Sequence, residues 1–393
     1  ISAIAAERAV SRRGSFWLIQ PINHSAARRA RLTPQQRLNR PSARPTMPAM
    51  THSAPVPMGT RLPEWLPHRY DPQHDAVHFI GADRALRQNV PFLTDEYLPN
   101  AANPQVVRRT EALAATPAGA PLHFIFHSAY CCSTLLANVL DRPGTASALK
   151  EPVILNDLVG WRHRGGPPAK IGEILDHALR LLAHPFEPGE AVVIKPSNVV
   201  NALAPAMLSL RPQASAILLY APLDHFLASI AGKGLFGRRW VRDLLMKQLK
   251  DGIVDLGFAP DDYFLHTDLQ VAAVGWLAQH KLFTDMAARW PDRVRTLDSE
   301  VLMARPHEVL QAIGALFGLG LDAAAASQMI AGDAFTRNAK DGARYGSADR
   351  SAARESNAAL HADEIEKVAI WSKAVAEAAG LDLRAPAPLL PDS

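Results

Sequence analysis

Residues 122–141 read LHFIFHSAYCCSTLLANVLD, and the fold turns on this stretch. Leu122 to Phe126 is a short apolar run opened by Pro121, the pattern of a strand buried on both faces. Leu135/Val139 and Leu136/Leu140 sit at the i,i+4 spacing of a helix, which Asp141-Arg142-Pro143-Gly144 brings to an end. Between them lie small or polar positions, His127 to Ser133. A tight strand–loop–helix joint turns free backbone N–H groups and the positive helix end toward one place, which suits a phosphate or sulfate. Any βα unit has such a joint, so the loop alone does not establish a ligand. Cys132-Ser133-Thr134 stands where a nucleoside-triphosphate loop ends in Gly-Lys-Ser/Thr. With no lysine to reach a β/γ-phosphate, an ordinary ATPase or GTPase is disfavoured.

From residue 119 onward, apolar runs alternate with helical patterns. Strands are expected at 122–126, 146–149, 191–195, 214–220 and 293–297, with helices at 171–184, 200–210, 224–231 and 269–290. In the last helix Val274, Leu277, Ala278, Leu282 and Met286 make one apolar face. Alternating βα units predict a three-layer α/β fold with a mainly parallel sheet. Ligands of such sheets bind beyond the carboxyl ends of the strands. That rule singles out His127–Ser133, Lys150-Glu151, Lys195-Pro196-Ser197 and Tyr220 onward.

Three regions follow from composition. Residues 1–60 are rich in Ala, Arg, Pro and Ser and read as a disordered basic arm. A transit peptide and an over-long start ahead of Met47 and Met50 are the alternatives. Residues 61–118 carry the anchors Trp65, Tyr70, Phe79, Ile80, Phe92, Leu93 and Tyr97, expected as a lead-in packed on the core, with a short helix at 111–115 and no chemistry. Residues 119–385 are the α/β domain. Within it, 232–268 is a helical insertion bearing Lys233, Arg238, Arg239, Arg242, Lys247 and Lys250, read as a solvated charged face, with a lid as the alternative. A short helix and an amphipathic one cover 299–319. After a polar loop at 331–357, a last helix is expected at 362–379.

The net charge of +4 is local in origin. Residues 1–46 hold nine arginines against Glu7, or +8, so the rest of the chain sums to −4. The basic pI of about 9.1 is therefore no sign of nucleic-acid binding. The two cysteines, Cys131 and Cys132, are adjacent, a poor geometry for a structural disulfide. They fit a reducing cytoplasm and supply too few ligands for a zinc site, so no metal is expected. No apolar run is long enough to span a bilayer, and no membrane partner is expected.

Several segments together resemble the sulfotransferase family, enzymes of P-loop NTPase-like fold that use 3′-phosphoadenosine 5′-phosphosulfate. The resemblance covers roughly residues 119–380. HSAYCCSTLLANVLD looks like the family's 5′-phosphosulfate loop, ALKEP like the segment after the second strand, and VVIKPSNVVNALAPAMLSLRP like the segment with an active-site lysine. ILLYAPLDHFLASI resembles the 3′-phosphate segment, and LDSEVLMARPHEVLQAIGALFGL the closing structural block. The departures are specific. Tyr130 aligns with the usual basic residue and Cys132 with the usual glycine, so a glycine-free tight loop must form at steric cost. Tyr220 aligns with an arginine and Ala228 with a serine, leaving Ser229 one position late. Ser197 aligns with a histidine base.

The resemblance implies transfer of a sulfuryl group to a hydroxyl on a small molecule or glycan. Chemistry of this kind needs positioning and charge neutralisation more than covalent help. Lys195 is expected to neutralise the departing phosphate oxygen and Glu151 to take the hydroxyl proton. Ser128, Tyr130, Cys131, Cys132, Ser133 and Thr134 would surround the phosphosulfate, with Lys150 and Ser197 nearby. Tyr220, Ser229, Arg337 and Lys340 are the candidates for the 3′-phosphate end. Each has a plainer reading. Lys195 and Glu151 would serve equally as a buried ion pair, Ser133 and Thr134 as helix caps, the cysteines as small packed side chains, and Arg337 and Lys340 as plain surface. A catalytically silent relative that binds a nucleotide or a partner, and a kinase-like phosphotransferase, are the alternatives to the enzyme.

Overall fold

The computed structural model describes residues 62–336, 356 and 359–391. The arm expected over 1–60 lies outside them, as do Arg337 and Lys340.

The described chain opens with three strands, β1 (Trp65–Asp71), β2 (Ala76–Gly81) and β3 (Gln105–Arg108), paired antiparallel in that order. Helix α1 (Arg84–Asn89) leaves β2 through Asp83, whose side chain accepts the Leu86 N–H. Helix α2 (Arg109–Ala114) follows β3.

The second sheet begins at β4 (Leu122–His127), the run that follows Pro121. After it come α3 (Ser133–Leu140), β5 (Ala146–Lys150), α4 (Val153–His163), α5 (Pro168–Leu182) and β6 (Ala191–Lys195). A 3-10 turn, Asn198–Leu203, runs into α6 (Ala204–Leu210) and β7 (Ala216–Tyr220). The long return holds α7 (Leu223–Gly232), α8 (Gly234–Asp251), α9 (Asp262–Leu265) and α10 (Asp268–Arg289) before β8 (Val294–Asp298). Helices α11 (Ser299–Ala304), α12 (Pro306–Phe317), α13 (Ala323–Ala331), α14 (Asp333–Thr336) and α15 (Ala362–Ala378) complete the described elements.

The five strands lie in the order β5-β6-β4-β7-β8, every neighbouring pair parallel. Strand β4 is therefore central. The chain leaves it toward β5 and β6 on one side and crosses to β7 and β8 on the other, so its carboxyl end is the topological switch point. Largely apolar runs form four of these strands because both faces are covered, while β8 carries Arg295 and Thr296 between Val294 and Leu297. Phe124, Phe126, Val192, Ile194 and Leu218 pack in the core that includes Leu66, Phe79 and Ile80 of the first sheet. Ile125, Val193, Ile217 and Leu219 pack in the opposite core with Leu136 of α3 and Leu277 of α10. Burying each of these large side chains contributes about 1.5–3 kcal/mol.

One part of the architecture differs from the sequence expectation. The segment 62–118 holds a sheet of its own, hidden because His68, Arg69 and His78 interrupt the apolar pattern. Helix α4 reaches the first sheet through Trp161, whose ring lies tilted against Tyr70 at 5.9 Å. Among the described residues no helix is long and apolar enough to cross a membrane.

Candidate active site at the strand ends

The joint after β4 turns without a glycine. Ala129, Tyr130 and Cys132 all take left-handed backbone, with φ of 74°, 52° and 65°. Non-glycine residues pay of order 1–2 kcal/mol each in this region, and such outliers cluster at functional sites. The surroundings hold the turn in place. The Ser128 N–H donates to the Leu219 carbonyl at 3.0 Å, and the Ser128 hydroxyl accepts the Ala221 N–H at 3.3 Å. The buried Cys131 thiol donates to the same Leu219 carbonyl at 3.4 Å, and burial pushes its pKa up to about 12. It is a packed thiol rather than a thiolate.

Cys132 occupies the cap position of α3, and its carbonyl accepts the Leu136 N–H at 3.0 Å. The Cys132 side chain makes no cap hydrogen bond to this helix, and Ser133 and Thr134 are both buried at its start. The first turn of an α-helix directs N–H groups outward without intrahelical partners. Tyr130 leans the other way. Its ring meets Trp240 edge-on at 5.5 Å and Phe226 at 6.2 Å, and burial raises its phenol pKa.

Lys150 and Lys195 close neighbouring strands β5 and β6, and both are 1% exposed. Their ammonium groups diverge. Lys195 donates to the Glu151 carboxylate and lies over the Phe92 ring at 5.2 Å. Lys150 donates to the Gln88 carbonyl at 3.0 Å, toward α1. Burial lowers the Lys150 pKa to about 8 against the partial support of Asp141. Glu151 has φ of 55°, and its N–H donates to the Lys195 carbonyl at 2.7 Å. Left-handed backbone thus directs the carboxylate back across the sheet edge, where its oxygen also lies 3.9 Å from His127 Nε2.

His127 is buried, and its hydrogen bonds fix its tautomer. Nδ1 accepts the Ala129 N–H at 3.1 Å, so Nε2 carries the proton and donates to the Pro196 carbonyl at 3.0 Å. The His127 carbonyl accepts from Asn201 Nδ2 at 2.9 Å, and the same amide reaches Gln279 Oε1 at 2.9 Å. Ser197 is half-buried and opens the 3-10 turn without a side-chain cap. Next to it Asn198 buries an amide nitrogen that has no partner among the described residues.

The candidates for the 3′-phosphate end turn their side chains to other partners. Tyr220 lies edge-on to His280 at 5.9 Å, and burial followed by the Asp298 charge pushes its phenol up to about 12. The Ser229 hydroxyl donates back to the His225 carbonyl at 2.8 Å within α7. Neither supplies a cation for a phosphate. Among the described residues no three His, Cys, Asp or Glu side chains cluster to hold a metal.

The lead-in, expected to carry no chemistry, supplies the cover. Phe92 lies over Lys195, Tyr97 meets Phe92 edge-on at 5.8 Å, and Tyr97 is 36% exposed. The phenol of Tyr97 is raised by burial and by the charges of Glu96 and Glu151. The Leu93 N–H donates to the Lys150 carbonyl at 2.7 Å, which fixes this cover to β5. An open cleft of about 620 Å³ lies elsewhere, lined by Arg69, Tyr70, His78, Asp95, Asp157 and Arg164 among others, and holds none of the strand-end residues.

No protein-family model and no curated protein matches the sequence. Solved structures similar to part of the chain include the sulfotransferase domain of the olefin synthase of Synechococcus PCC 7002, at 17% identity over 56% of this chain and 81% of that one, with a TM-score of 0.33. Sulfotransferase STF9 from Mycobacterium avium is similar at 13% identity over 65% and 79%, with a TM-score of 0.37. The sulfotransferase domain from the curacin biosynthetic pathway is similar at 15% identity over 56% and 81%, with a TM-score of 0.33.

Proposed function

We propose that the chain transfers a sulfuryl group from 3′-phosphoadenosine 5′-phosphosulfate to a hydroxyl acceptor. The carrying observation is the meeting of the Lys195 ammonium and the Glu151 carboxylate at adjacent strand ends, beside the left-handed loop of the central strand. The donor supplies an activated sulfur–oxygen bond to a phosphate. Glu151 takes the acceptor proton as the new oxygen–sulfur bond forms. Lys195 neutralises the phosphate oxygen left as the old bond breaks. The loop fits the 5′ end of such a donor, through the N–H groups at the start of α3 and the unpaired buried amide of Asn198. Tyr220 and Ser229 supply no cation for the 3′-phosphate; Arg337 and Lys340, the other candidates for that end, lie outside the described residues.

A silent nucleotide-binding relative is the second reading. It is favoured by the wholly uncharged loop from Ser128 to Thr134 and by the direct pairing of the two charges. Thermal shift with adenosine 3′,5′-bisphosphate, ATP and GTP, followed by a sulfuryl-transfer assay on a panel of phenols, alcohols and sugars, separates the readings. The proposal expects stabilisation of about 2.7 kcal/mol by bisphosphate at 100 times its dissociation constant, together with transfer. Stabilisation without transfer to any acceptor favours the silent relative. A shift from ATP alone points to the kinase-like reading.

A further inference from the structure

We infer that His127 is a positioning residue of the strand-end site, holding the Glu151 carboxylate through one ring nitrogen and the donor loop through the other. The inference rests on the proposed function and deepens it. His127 ends the central strand β4 and is buried. Its imidazole meets all three parts of the site. Nδ1 accepts the Ala129 N–H at 3.1 Å, at the first left-handed residue of the loop. Nε2 donates to the carbonyl of Pro196, the residue after Lys195, at 3.0 Å. The same nitrogen lies 3.9 Å from Glu151 Oε1, the oxygen that accepts from the Lys195 ammonium.

The charge pair itself creates the need for such a residue. A carboxylate beside an ammonium is kept in its charged form and resists taking a proton. The pairing with Lys195 therefore opposes the work of Glu151 as a base. As the ammonium is drawn to the phosphate oxygen, Glu151 becomes the better base but loses what aims it. The Nε2–H of His127 stands just beyond hydrogen-bond reach of that carboxylate. A neutral N–H holds a carboxylate while lowering its basicity less than a full charge does. His127 stays neutral throughout, and the acceptor proton ends on Glu151.

The imidazole is anchored so that the carboxylate does the moving. His127 pairs with Leu219 in the parallel register of β4 and β7. Its carbonyl accepts from Asn201 Nδ2, and the same amide reaches Gln279 Oε1, both at 2.9 Å and both on fully buried side chains. The Glu151 side chain is 17% exposed and has room on the solvent side. A residue that only propped the turn would need Nδ1 alone. The second nitrogen, set beside Glu151, is what the plainer reading leaves unused.

Two substitutions separate the two nitrogens. The amide oxygen of asparagine falls near the place of Nδ1, and the amide nitrogen of glutamine near that of Nε2. His127→Asn keeps an acceptor for Ala129 and loses the reach to Pro196 and Glu151. Its affinity for adenosine 3′,5′-bisphosphate should stay within about twofold of the parent, while kcat for sulfuryl transfer falls about a hundredfold. His127→Gln keeps the donor and loses the acceptor. Its bisphosphate affinity should fall about tenfold, because binding must then re-form the loop, with kcat at saturating donor nearly kept. A purely structural role predicts that rate and affinity fall together in both variants, in step with the melting temperature, and that result overturns the inference. So does a parent-like kcat in His127→Asn. A parent that transfers to no acceptor defeats the proposed function instead, and melting then decides the inference. The melting losses of His127→Asn and Glu151→Gln should fall short of additive in the double variant by about 2 °C or more, as for side chains that interact. Additive losses overturn the inference whether or not the chain transfers.

Discussion

The Glu151 N–H donates to the Lys195 carbonyl at 2.7 Å while the Lys195 ammonium donates to the Glu151 carboxylate, so one residue pair bridges the ends of β5 and β6 twice. The backbone bond fixes where the carboxylate starts, and the charge pair fixes where it ends. Glu151→Gln keeps the shape and removes the base. Under the proposed function the rate should fall by about 10²–10⁴, with little change in bisphosphate affinity.

The same pair carries stability, because Lys195 is buried. Lys195→Met leaves Glu151 partly open to water, whereas Glu151→Gln strands a buried ammonium. The second change should cost more, on the order of 3–5 kcal/mol. Lys195→Met/Glu151→Leu should recover most of that loss while bisphosphate binding stays weak. Full bisphosphate affinity in the stable double variant would leave the pair a purely structural role.

The left-handed loop predicts an inverted glycine effect. Glycine normally costs about 0.5–1 kcal/mol through entropy, but Ala129 at φ 74° already pays of order 1–2 kcal/mol. Ala129→Gly should leave the melting temperature unchanged or raise it. Ala129→Val, β-branched in a region such residues avoid, should lower it by more than about 1 kcal/mol equivalent. Denaturant titration of the two variants checks the order.

Lys150 should give stability a rising limb in alkali. Its folded-state pKa of about 8 lies below its ordinary 10.5, chiefly through burial. Between those values the unfolded chain holds the proton and the folded chain does not, so stability from this group rises with pH across the window. Below about pH 8 both states are protonated and the burial cost, about 3 kcal/mol, is fully felt. Lys150→Met should therefore be more stable than the parent at pH 7 and lose that advantage toward pH 10.5. The Gln88 carbonyl, left unpaired, will offset part of the gain.

The two thiols should differ in reactivity. Cys131 is buried with its pKa pushed to about 12, while Cys132 is half-buried on the loop. Native alkylation by iodoacetamide, read by mass spectrometry, should give one adduct, at Cys132, and denaturation should give two. Bisphosphate should slow the single adduct if the loop holds the donor.

Four of the five parallel strands were legible as largely apolar runs, a pattern that a doubly covered sheet requires, and β8, with Arg295 and Thr296 inside it, from the alternation of strands and helices. Glu151 and Lys195 were legible for the same reason, as charged residues directly after such runs. What sequence could not reveal depends on distant partners. Phe92 and Tyr97 follow no period, and only the Leu93–Lys150 backbone bond brings them over Lys195. His127 stood in the quoted loop, but its neutral tautomer is set by Ala129 and Pro196, one local and one 69 residues away. Asn198 and Asn201, which the sequence reading does not single out, are two amides three apart just after the lysine strand.

The clasp between the lead-in and the sheet has a consequence during synthesis. Arg69 forks onto Asp157, 88 residues later, and Arg84 reaches Glu190, 106 residues later. At about 5–20 residues per second, β1 and β2 wait on the order of 5–20 s for these partners to leave the ribosome. Through that interval Leu66, Phe79 and Ile80 lack the strands that cover them. The first described strands to be made are thus among the last to be secured. A nascent chain arrested ahead of β6 should remain open to protease at its amino-terminal hairpin and retain trigger-type chaperones there.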